Sequence, residues 1–229
     1  MNAPMVSAII VVKNGERYIA RAIDSIMAQT FKDYEIIVVD GHSSDRTLNI
    51  AQSYPQVRCV QQKKPGIAEA YNLGIESARG EFIAFLSHDD VWTSNKLSTQ
   101  VNYLLEHPEI QYSVAKVKFI LEEGHSIPPG FKPELFEGDR IAYIMETLVA
   151  RKSLFDSVGK FNSDFTIAND VDWFSRVKDL NISVIAIPEV LLHKYIHDTN
   201  LSNQAQVNNQ DLLKLLRQSI ERKKQKAEG

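Results

Sequence analysis

Short apolar runs alternate with amphipathic stretches through the first half of the chain, and this alternation most constrains the fold. Strands are predicted at Ser7 to Val12, Glu35 to Asp40, Val57 to Gln61 and Glu81 to Leu86. Apolar residues recur between them at helical spacing, namely Ile19, Ile23, Ile26 and Met27; Ile67, Ala70, Tyr71, Gly74, Ile75 and Ala78; and Leu97, Val101, Leu104 and Leu105. Asn14 is the predicted N-cap of the first helix. The alternation predicts an α/β fold, with a mostly parallel sheet and helices on both faces.

The second half of the chain, after about His107, has longer and less regular segments. We predict strands at Tyr112 to Leu121, Glu146 to Ala150 and Ile182 to Ile187, and a helix at Val171 to Leu180. The Pro- and Gly-rich stretch from Ser126 to Gly138 predicts a loop.

The C-terminal segment predicts a basic amphipathic helix. Its apolar residues are Leu212, Leu213, Leu215, Leu216 and Ile220, and its basic residues are Lys214, Arg217, Arg222, Lys223, Lys224 and Lys226. Three environments would suit such a helix: the body of the protein, an anionic membrane surface, or a subunit interface.

Composition excludes several classes of protein. With 26 Lys and Arg residues against 29 Asp and Glu residues, the net charge is -3, whereas a protein that coats nucleic acid is normally basic. The single cysteine, Cys59, excludes an intramolecular disulfide and a thiolate-built zinc site. No apolar run approaches the roughly 20 residues that span a bilayer. We therefore expect a soluble protein of a reducing, cytoplasmic compartment, with no nucleic-acid partner.

Polar residues follow three of the predicted strands, where ligands bind in open α/β sheets. The first strand leads into Val12 to Asn14, the second into Asp40 to Asp45, and the fourth into Ser87 to Asp90. Neither G-x-G-x-x-G nor G-x-x-x-x-G-K-[ST] occurs in the sequence. A nucleotide at this edge would therefore be held in another way.

Asp89 and Asp90 are the sharpest local feature, because adjacent carboxylates at a strand end repel each other unless a cation or hydrogen-bond donors offset them. Hard oxygen ligands suit Mg²⁺ or Mn²⁺ bridged to substrate phosphates. The alternative is that Asp90 caps the turn or helix that follows. Asp45 is interpreted as the start of a helix, whereas Asp40 is the better candidate for contact with a ligand.

Taken together, the motifs resemble those of the family 2 glycosyltransferases of the GT-A fold. The resemblance is carried by Ser7 to Asn14, Ala28 to Thr47, Gly66 to Asn72 with Gly74, Gly80 to Asp90, Arg151 to Phe161, Ala168 to Trp173, and His197 with Asn200 and Ser202. It implies a single domain, 1–229, with a nucleotide-sugar-binding half at 6–92, an acceptor half at 93–202 and a helix at 203–229.

The resemblance also implies transfer of a sugar with inversion, a nucleotide-sugar donor and a divalent cation, Mn²⁺ or Mg²⁺. It makes Asp170 the catalytic base and places Asp89, Asp90 and His197 at the metal. The expected donor contacts are Val12, Asn14, Asp40, Asn72, Ser87 and His88. The alternative for His197 is an ordinary surface histidine. Glu69 and Asn72 either reach the sugar or face the solvent.

Some positions depart from the family pattern or have a structural interpretation. The family often has acids where Gly41 and Ser87 stand, and a Glu where Asn169 precedes the base. Asp172 is interpreted as structural and Trp173 as a core residue.

The resemblance makes a UDP-sugar the default donor, and together with the basic C-terminal helix it implies an acceptor that is a growing glycan or a lipid-linked saccharide, as in polysaccharide biosynthesis. The C-terminal helix would then make peripheral contact with the inner face of the membrane or form a homodimer. Two competing classes are a sugar nucleotidyltransferase and a nucleotide-sugar-binding protein without catalysis. Lys13-Asn14-Gly15 is a poor version of the basic, Gly-rich first loop that the nucleotidyltransferase would carry.

Overall fold

The computed structural model describes residues 3–129, 131–166, 168–198, 200 and 205–228, in which nine strands form one sheet. The strands are β1 Val6–Val12, β2 Tyr34–Asp40, β3 Val57–Gln61, β4 Phe82–Ser87, β5 Val91–Trp92, β6 Tyr112–Leu121, β7 Arg140–Ile141, β8 Val149–Arg151 and β9 Val184–Ile196. The α-helices are α1 Ile19–Met27, α2 Thr47–Gln52, α3 Ile67–Ser77, α4 Lys96–Glu106, α5 Lys152–Val158, α6 Asn169–Asp179 and α7 Ala205–Glu228. Short 3₁₀ helices lie at Pro133–Phe136 and Met145–Thr147.

The first half forms a parallel sheet in the order β3-β2-β1-β4, as the strand and helix alternation predicts. Successive side chains of a strand point to opposite faces, so Ile9 and Ile10 enter different cores. Helix α3 packs on the Ile9 face, and helices α1 and α4 pack on the Ile10 face. Helices therefore cover both faces, which explains why these strands are apolar throughout.

The second half extends the same sheet with mixed strand directions. Strand β8 pairs antiparallel with β4 and with β6, β9 runs parallel to β6, and β5 pairs antiparallel with β9. Long-range pairing thus brings segments from residues 112 to 196 beside the first four strands. The structure therefore confirms an α/β fold of the kind that the resemblance to the GT-A fold implies.

Several local predictions differ from the structure. The segment Glu146 to Ala150, predicted as one strand, starts in the 3₁₀ helix Met145–Thr147 and enters strand β8 only at Val149. Strand β9 extends to Ile196, well past the predicted end. Asn14 does not cap α1, which begins at Ile19. The loop predicted at Ser126 to Gly138 contains the 3₁₀ helix Pro133–Phe136, and Leu105 of α4 is exposed.

Helix α7 docks on the body through one face. Leu215 is buried against Phe165 and Ala168, and Asp211 accepts hydrogen bonds from the backbone N–H groups of Thr166 (2.7 Å) and Ala168 (3.2 Å). The opposite face exposes Leu213, Leu216 and Ile220. Within the described residues, no helix combines the length and apolarity that crossing a bilayer requires.

Candidate active site

Strands β1, β2 and β4 end at one edge of the sheet, beside a cavity of about 670 Å³. The strand register places Val12 next to Asp40 and Val11 next to Ser87. The cavity is lined by Val11, Val12, Lys13, Asn14, Gly41, Gln62, Pro65, Gly66, Ile67, Ala70, Tyr71, Ser87, His88, Asp89, Ile144, Glu146, Ala168, Asn169, Asp170, Val171, Lys194 and Asn200. Asp89 and Asp170, which lie 81 positions apart in the sequence, therefore face the same space.

The loops after β1 and β2 hold each other in place at this edge. The Asn14 side chain accepts a hydrogen bond from the Ser44 N–H at 2.9 Å, and the Asn14 N–H donates to Ser43 Oγ at 2.8 Å. Asn14 has a positive φ of 54°, a conformation that asparagine tolerates better than most residues. Gly15 lies so close to the His88 ring that an added Cβ would be 2.3 Å from it. The Asn14 hydrogen bonds and the close approach of Gly15 to His88 therefore place both residues at the cavity.

Asp40 lies beneath this edge and does not line the cavity. Its side chain is fully buried, and its carboxylate accepts hydrogen bonds from the Ser43 N–H at 3.2 and 3.3 Å. The structure thus differs from the expectation of a direct ligand contact, because the Asp40 carboxylate is buried and holds the loop that follows β2. The next residue, Gly41, is close to Gln62, since an added Cβ would lie 2.8 Å from Gln62 Oε1 and the Gln62 side chain would have to shift.

Asp89 presents its carboxylate to the cavity with support from behind. Its Oδ2 atom accepts hydrogen bonds from His197 Nε2 (3.1 Å) and Asn200 Nδ2 (3.0 Å). The His197 ring is buried and stacks on the Tyr18 ring, with the ring centroids 4.7 Å apart. Burial alone would raise the pKa of Asp89, but the His197 hydrogen bond and nearby positive charge outweigh it and hold that pKa well below its ordinary value. Asp89 is therefore ionised at neutral pH, and His197 orients it.

Asp90 points away from the cavity. Its Oδ2 accepts a hydrogen bond from Lys194 Nζ at 2.8 Å, its Oδ1 accepts one from the Tyr195 N–H at 3.0 Å, and the residue is fully buried. Burial would lower the pKa of Lys194, but the carboxylates of Asp90, Glu146 and Asp89 reverse this and raise that pKa well above its ordinary value. The predicted metal ligand Asp90 instead anchors an ammonium group that lines the cavity.

Asp170 lies in the first turn of α6 and lines the same cavity. The helix is fixed by Trp173, which is fully buried and stacks on Phe155 with the ring centroids 5.0 Å apart. Burial and then the charge of Glu146 raise the pKa of Asp170 to about 6, whereas a 2.7 Å hydrogen bond from the Val171 N–H acts in the other direction. Asp170 is therefore a carboxylate whose pKa lies close to neutral pH.

Two neighbours of Asp170 in the sequence have structural roles. Asp172 is buried and forms an ion pair with Arg176, with Oδ2 and Nε 2.9 Å apart. Asn169 is buried, and its Nδ2 donates to the Phe165 carbonyl at 3.2 Å while its Oδ1 has no hydrogen-bond partner in the described part of the chain. The interpretations of Asp172 as structural and Trp173 as core agree with these contacts.

Asn72 is not among the residues that line the cavity. Its amide donates to the Phe161 carbonyl at 3.0 Å and accepts from the Phe161 N–H at 2.8 Å, and the residue is buried. Both ends of the amide are therefore used to join α3 to the segment after α5. The structure differs here from the expectation of a sugar contact. Ser202, part of the motif quoted with His197, lies outside the described residues.

Sequence reasoning missed two charged residues of the cavity, Glu146 and Lys194. Glu146 Oε1 accepts hydrogen bonds from Ser87 Oγ at 2.5 Å and from Lys194 Nζ at 3.3 Å. The available signal was a single charged residue inside an apolar run, as in Ile144-Met-Glu-Thr-Leu-Val149 and Val190-Leu-Leu-His-Lys-Tyr-Ile196. Buried charges of this kind need partners, and functional sites often supply them.

The residues present suit a cation whose coordination is completed by a bound ligand. Within the described residues, no three His, Cys, Asp or Glu side chains are grouped so that they could hold a metal by themselves. Asp89 offers one hard oxygen, Oδ1, which makes no hydrogen bond to the described part of the chain. Mg²⁺ and Mn²⁺ commonly use one or two carboxylates together with substrate phosphates and water. The residues present therefore fit such a cation.

Several curated proteins are similar to this chain. An uncharacterized glycosyltransferase of Rickettsia typhi is 33% identical in an alignment 218 residues long, which covers 89% of this chain and 67% of the relative. An uncharacterized glycosyltransferase of Rickettsia felis is 35% identical in an alignment 208 residues long, which covers 83% of this chain and 34% of the relative. This chain thus spans from about two thirds to one third of the length of these relatives.

Solved structures share the fold. TarS 1-349 of S. aureus in complex with UDP-GlcNAc has a TM-score of 0.70 and 23% identity, covering 87% of this chain and 60% of that chain. The mannosyltransferase PcManGT from Pyrobaculum calidifontis in complex with GDP-Man and Mn²⁺ has a TM-score of 0.71 and 19% identity, covering 96% of this chain and 65% of that chain.

The family comparison covers the first two thirds of the chain. Residues 7–161 match the family model described as Glycosyl transferase family 2, which includes the strand-end residues of the cavity from Val12 to Asp89. The remaining wall of the cavity, with Asp170, follows that match and is contained in the relatives' longer alignments. The chain is therefore a glycosyltransferase that belongs to glycosyl transferase family 2.

Proposed function

We propose that this protein transfers a sugar from a nucleotide-sugar donor, with UDP as the default nucleotide, to a hydroxyl group of a glycan or lipid-linked acceptor. The observation that carries the proposal is the single cavity lined by both Asp89 and Asp170. These carboxylates differ in their electrostatics, since one is held ionised and the other has a pKa of about 6. Two carboxylates in different environments can serve two steps of one reaction.

Asp89 would serve the departing diphosphate. With His197 and Asn200 behind it, Asp89 would hold Mn²⁺ or Mg²⁺, which supplies a positive charge that stabilises the leaving group when bound. Val12 and Asn14 would contact the nucleoside, and Ser87 and His88 would border the diphosphate. The complexes of TarS with UDP-GlcNAc and of PcManGT with GDP-Man and Mn²⁺ support this type of donor.

Asp170 would be the general base. Above pH 6 its carboxylate is mostly unprotonated, so at neutral pH it can take the proton of an acceptor hydroxyl as that oxygen attacks the anomeric carbon. A base with a pKa near the working pH combines the required protonation state with a useful affinity for the proton. One displacement of this kind inverts the anomeric centre and needs no nucleophile from the enzyme.

Helix α7 would hold the protein at an anionic membrane surface, where lipid-linked acceptors lie. Its exposed face carries Leu213, Leu216 and Ile220, which are 59%, 57% and 55% exposed. Arg217 and Lys224 are exposed on the same helix, and α7 holds six basic against three acidic side chains although the whole chain has a net charge of -3. Apolar residues flanked by basic ones favour insertion at an anionic lipid surface.

Vesicle sedimentation tests this contact. The wild-type protein should sediment with phosphatidylglycerol vesicles and not with phosphatidylcholine vesicles, and the double variant Leu213→Gln, Leu216→Gln should remain in the supernatant. Leu105→Gln is the matched control, since Leu105 is an exposed leucine on α4. Equal binding by the double variant would contradict the proposal. If light scattering shows that the wild-type protein is a dimer and the double variant a monomer, the face is a subunit interface instead.

A donor screen tests the proposed reaction. Nucleotide sugars are added with and without Mn²⁺, and the melting temperature is measured, because a ligand that binds only the folded protein raises it. The expected result is a Mn²⁺-dependent rise with a UDP-sugar, and slow release of UDP when no acceptor is present. A nucleotidyltransferase would instead need a sugar phosphate and a nucleoside triphosphate, and a binding protein would raise the melting temperature without releasing UDP.

A further inference from the structure

Glu146 is a buried carboxylate of the cavity that the proposed reaction does not use. It lies in the 3₁₀ helix Met145–Thr147, is 8% exposed, and lines the cavity together with Asp170. Its charge is felt by Asp170, whose pKa it helps to raise. An ionised group costs free energy to bury, so its position calls for partners.

The protein holds Glu146 in one orientation. Ser87 Oγ and Lys194 Nζ both donate to the Oε1 atom, at 2.5 and 3.3 Å. The backbone is fixed as well, because Trp92 Nε1 donates to the Glu146 carbonyl at 3.2 Å and the buried Lys96 Nζ donates to the Thr147 carbonyl at 3.2 Å. A group supported in this way is pre-organised for binding.

The second carboxylate oxygen of Glu146, Oε2, is uncommitted. It makes no hydrogen bond to the described part of the chain, and it is not among the solvent-inaccessible side-chain atoms that lack a partner. It is therefore open to the cavity. A metal ion is a poor occupant for this position, since the Lys194 ammonium group already lies 3.3 Å from Oε1 and would repel it. An ionised carboxylate only accepts hydrogen bonds, so its complement is a ligand that donates them.

We propose that Glu146 Oε2 forms a subsite that binds a hydroxyl group of a sugar ring beside Asp170. The inference rests on the proposed function, because it places a sugar in this cavity. The shared chemistry is a hydroxyl donor, which belongs either to the sugar of the donor or to the acceptor saccharide. Loss of one hydrogen bond to a charged group lowers affinity by roughly tenfold or more.

Glu146→Gln tests the subsite, since glutamine keeps the size of the side chain but can present an N–H group where Oε2 accepts. Calorimetry compares UDP with the UDP-sugar found in the donor screen, and initial rates give KM for the acceptor. A donor-side subsite predicts about tenfold weaker binding of the UDP-sugar and unchanged binding of UDP. An acceptor-side subsite predicts unchanged binding of both and about a tenfold higher KM for the acceptor. Unchanged values throughout would overturn the subsite.

Deoxy analogues separate direct contact from a positioning role. Each analogue lacks one hydroxyl of the sugar whose binding Glu146→Gln weakens. One analogue should bind the wild-type protein as weakly as the full ligand binds the variant. Combining that analogue with the variant should then add little further loss, whereas a purely structural role gives additive losses for every analogue.

The two proposals fail differently. If the wild-type protein binds no nucleotide sugar and transfers none, both the proposed function and this subsite are wrong. If the wild-type protein is active and Glu146→Gln matches it, only the subsite is wrong. Circular dichroism melting of Glu146→Gln excludes unfolding as the cause of a loss.

Discussion

The two walls of the cavity are built in different ways. The wall that we propose binds the donor, here called the donor wall, consists of Val12, Asn14, Ser87, His88 and Asp89, which lie at or just after the ends of neighbouring parallel strands. The wall that carries the proposed base, here called the acceptor wall, consists of Glu146, Asn169, Asp170 and Lys194, which come from a 3₁₀ helix, a helix start and a long strand. The first wall follows from local chain order and the second from long-range pairing. Substitutions in each should therefore separate donor binding from transfer.

The largest expected effect is that of Asp170→Asn. Asparagine cannot take the proton of the acceptor, and general-base catalysis contributes roughly 100- to 10,000-fold to a rate. The transfer rate should fall by that range, whereas the affinity for a UDP-sugar in Mn²⁺ should stay within about twofold because the donor wall is intact. Transfer is measured by product formation and affinity by calorimetry.

Asp156→Asn is the matched control for this substitution. Asp156 is an exposed aspartate on α5, outside the cavity, so its replacement should change neither quantity. Normal transfer by Asp170→Asn would remove Asp170 from the mechanism and leave the acceptor wall without its proposed base.

Asp89→Asn should break the donor wall. The variant loses the ionised carboxylate that faces the cavity, so the gain in UDP affinity on adding Mn²⁺ should disappear, with a loss of roughly 100-fold. His197→Gln should have a smaller effect of roughly 10-fold, because groups that orient a metal ligand typically cost 10- to 100-fold. Titration of UDP with and without Mn²⁺ measures both effects. A Mn²⁺-dependent gain that survives in Asp89→Asn would refute its role at the cation.

The acid limb of the pH dependence should report on Asp170. Asp170 has a pKa of about 6, so kcat should fall about tenfold per pH unit below that value as the base is protonated. Glu146→Gln removes a negative charge that favours the protonated form of Asp170, so the acid limb should move to lower pH. Burial remains and keeps the midpoint above that of an ordinary aspartate. An acid limb that does not move would mean that another group limits the rate.

The sequence predicts the donor wall well because its information is local. An apolar run followed by polar residues identifies the end of a strand, and parallel strands bring such ends to one edge of the sheet. Asp89 and His88 were found in this way. The pattern does not report which way adjacent side chains point. It therefore predicts ligand contacts for Asp40 and Asp90, although both side chains are buried and accept hydrogen bonds within the protein.

The acceptor wall is harder to predict for a physical reason. Asp170 was identified only through the resemblance to a family, since an acidic residue in the first turn of a helix is also favoured by the helix dipole. Glu146 and Lys194 meet because β8 and β9 both pair with β6, a contact between distant segments that no local pattern encodes. Asn72 shows the reverse error, as a polar helix residue whose amide is used within the fold.

Asp211→Ala should give the smallest effect and the sharpest separation of the walls. Asp211 of α7 accepts the backbone N–H groups of Thr166 and Ala168, just before the helix that carries Asp170. Hydrogen bonds to a charged group contribute about 1.5 to 3 kcal/mol, so the free energy of unfolding should fall by about 2 kcal/mol. The acceptor wall loses this support, and kcat should drop several-fold with unchanged affinity for the UDP-sugar.

Glu221→Ala is the control on the same helix, because Glu221 is exposed. Urea unfolding and steady-state rates compare the two variants. A weaker affinity of Asp211→Ala for the donor would mean that the two walls are mechanically coupled, since a contact at the base of α6 would then reach strand ends on the other side of the cavity. An unchanged affinity with a lower kcat would mean that α7 acts on the placement of Asp170 alone.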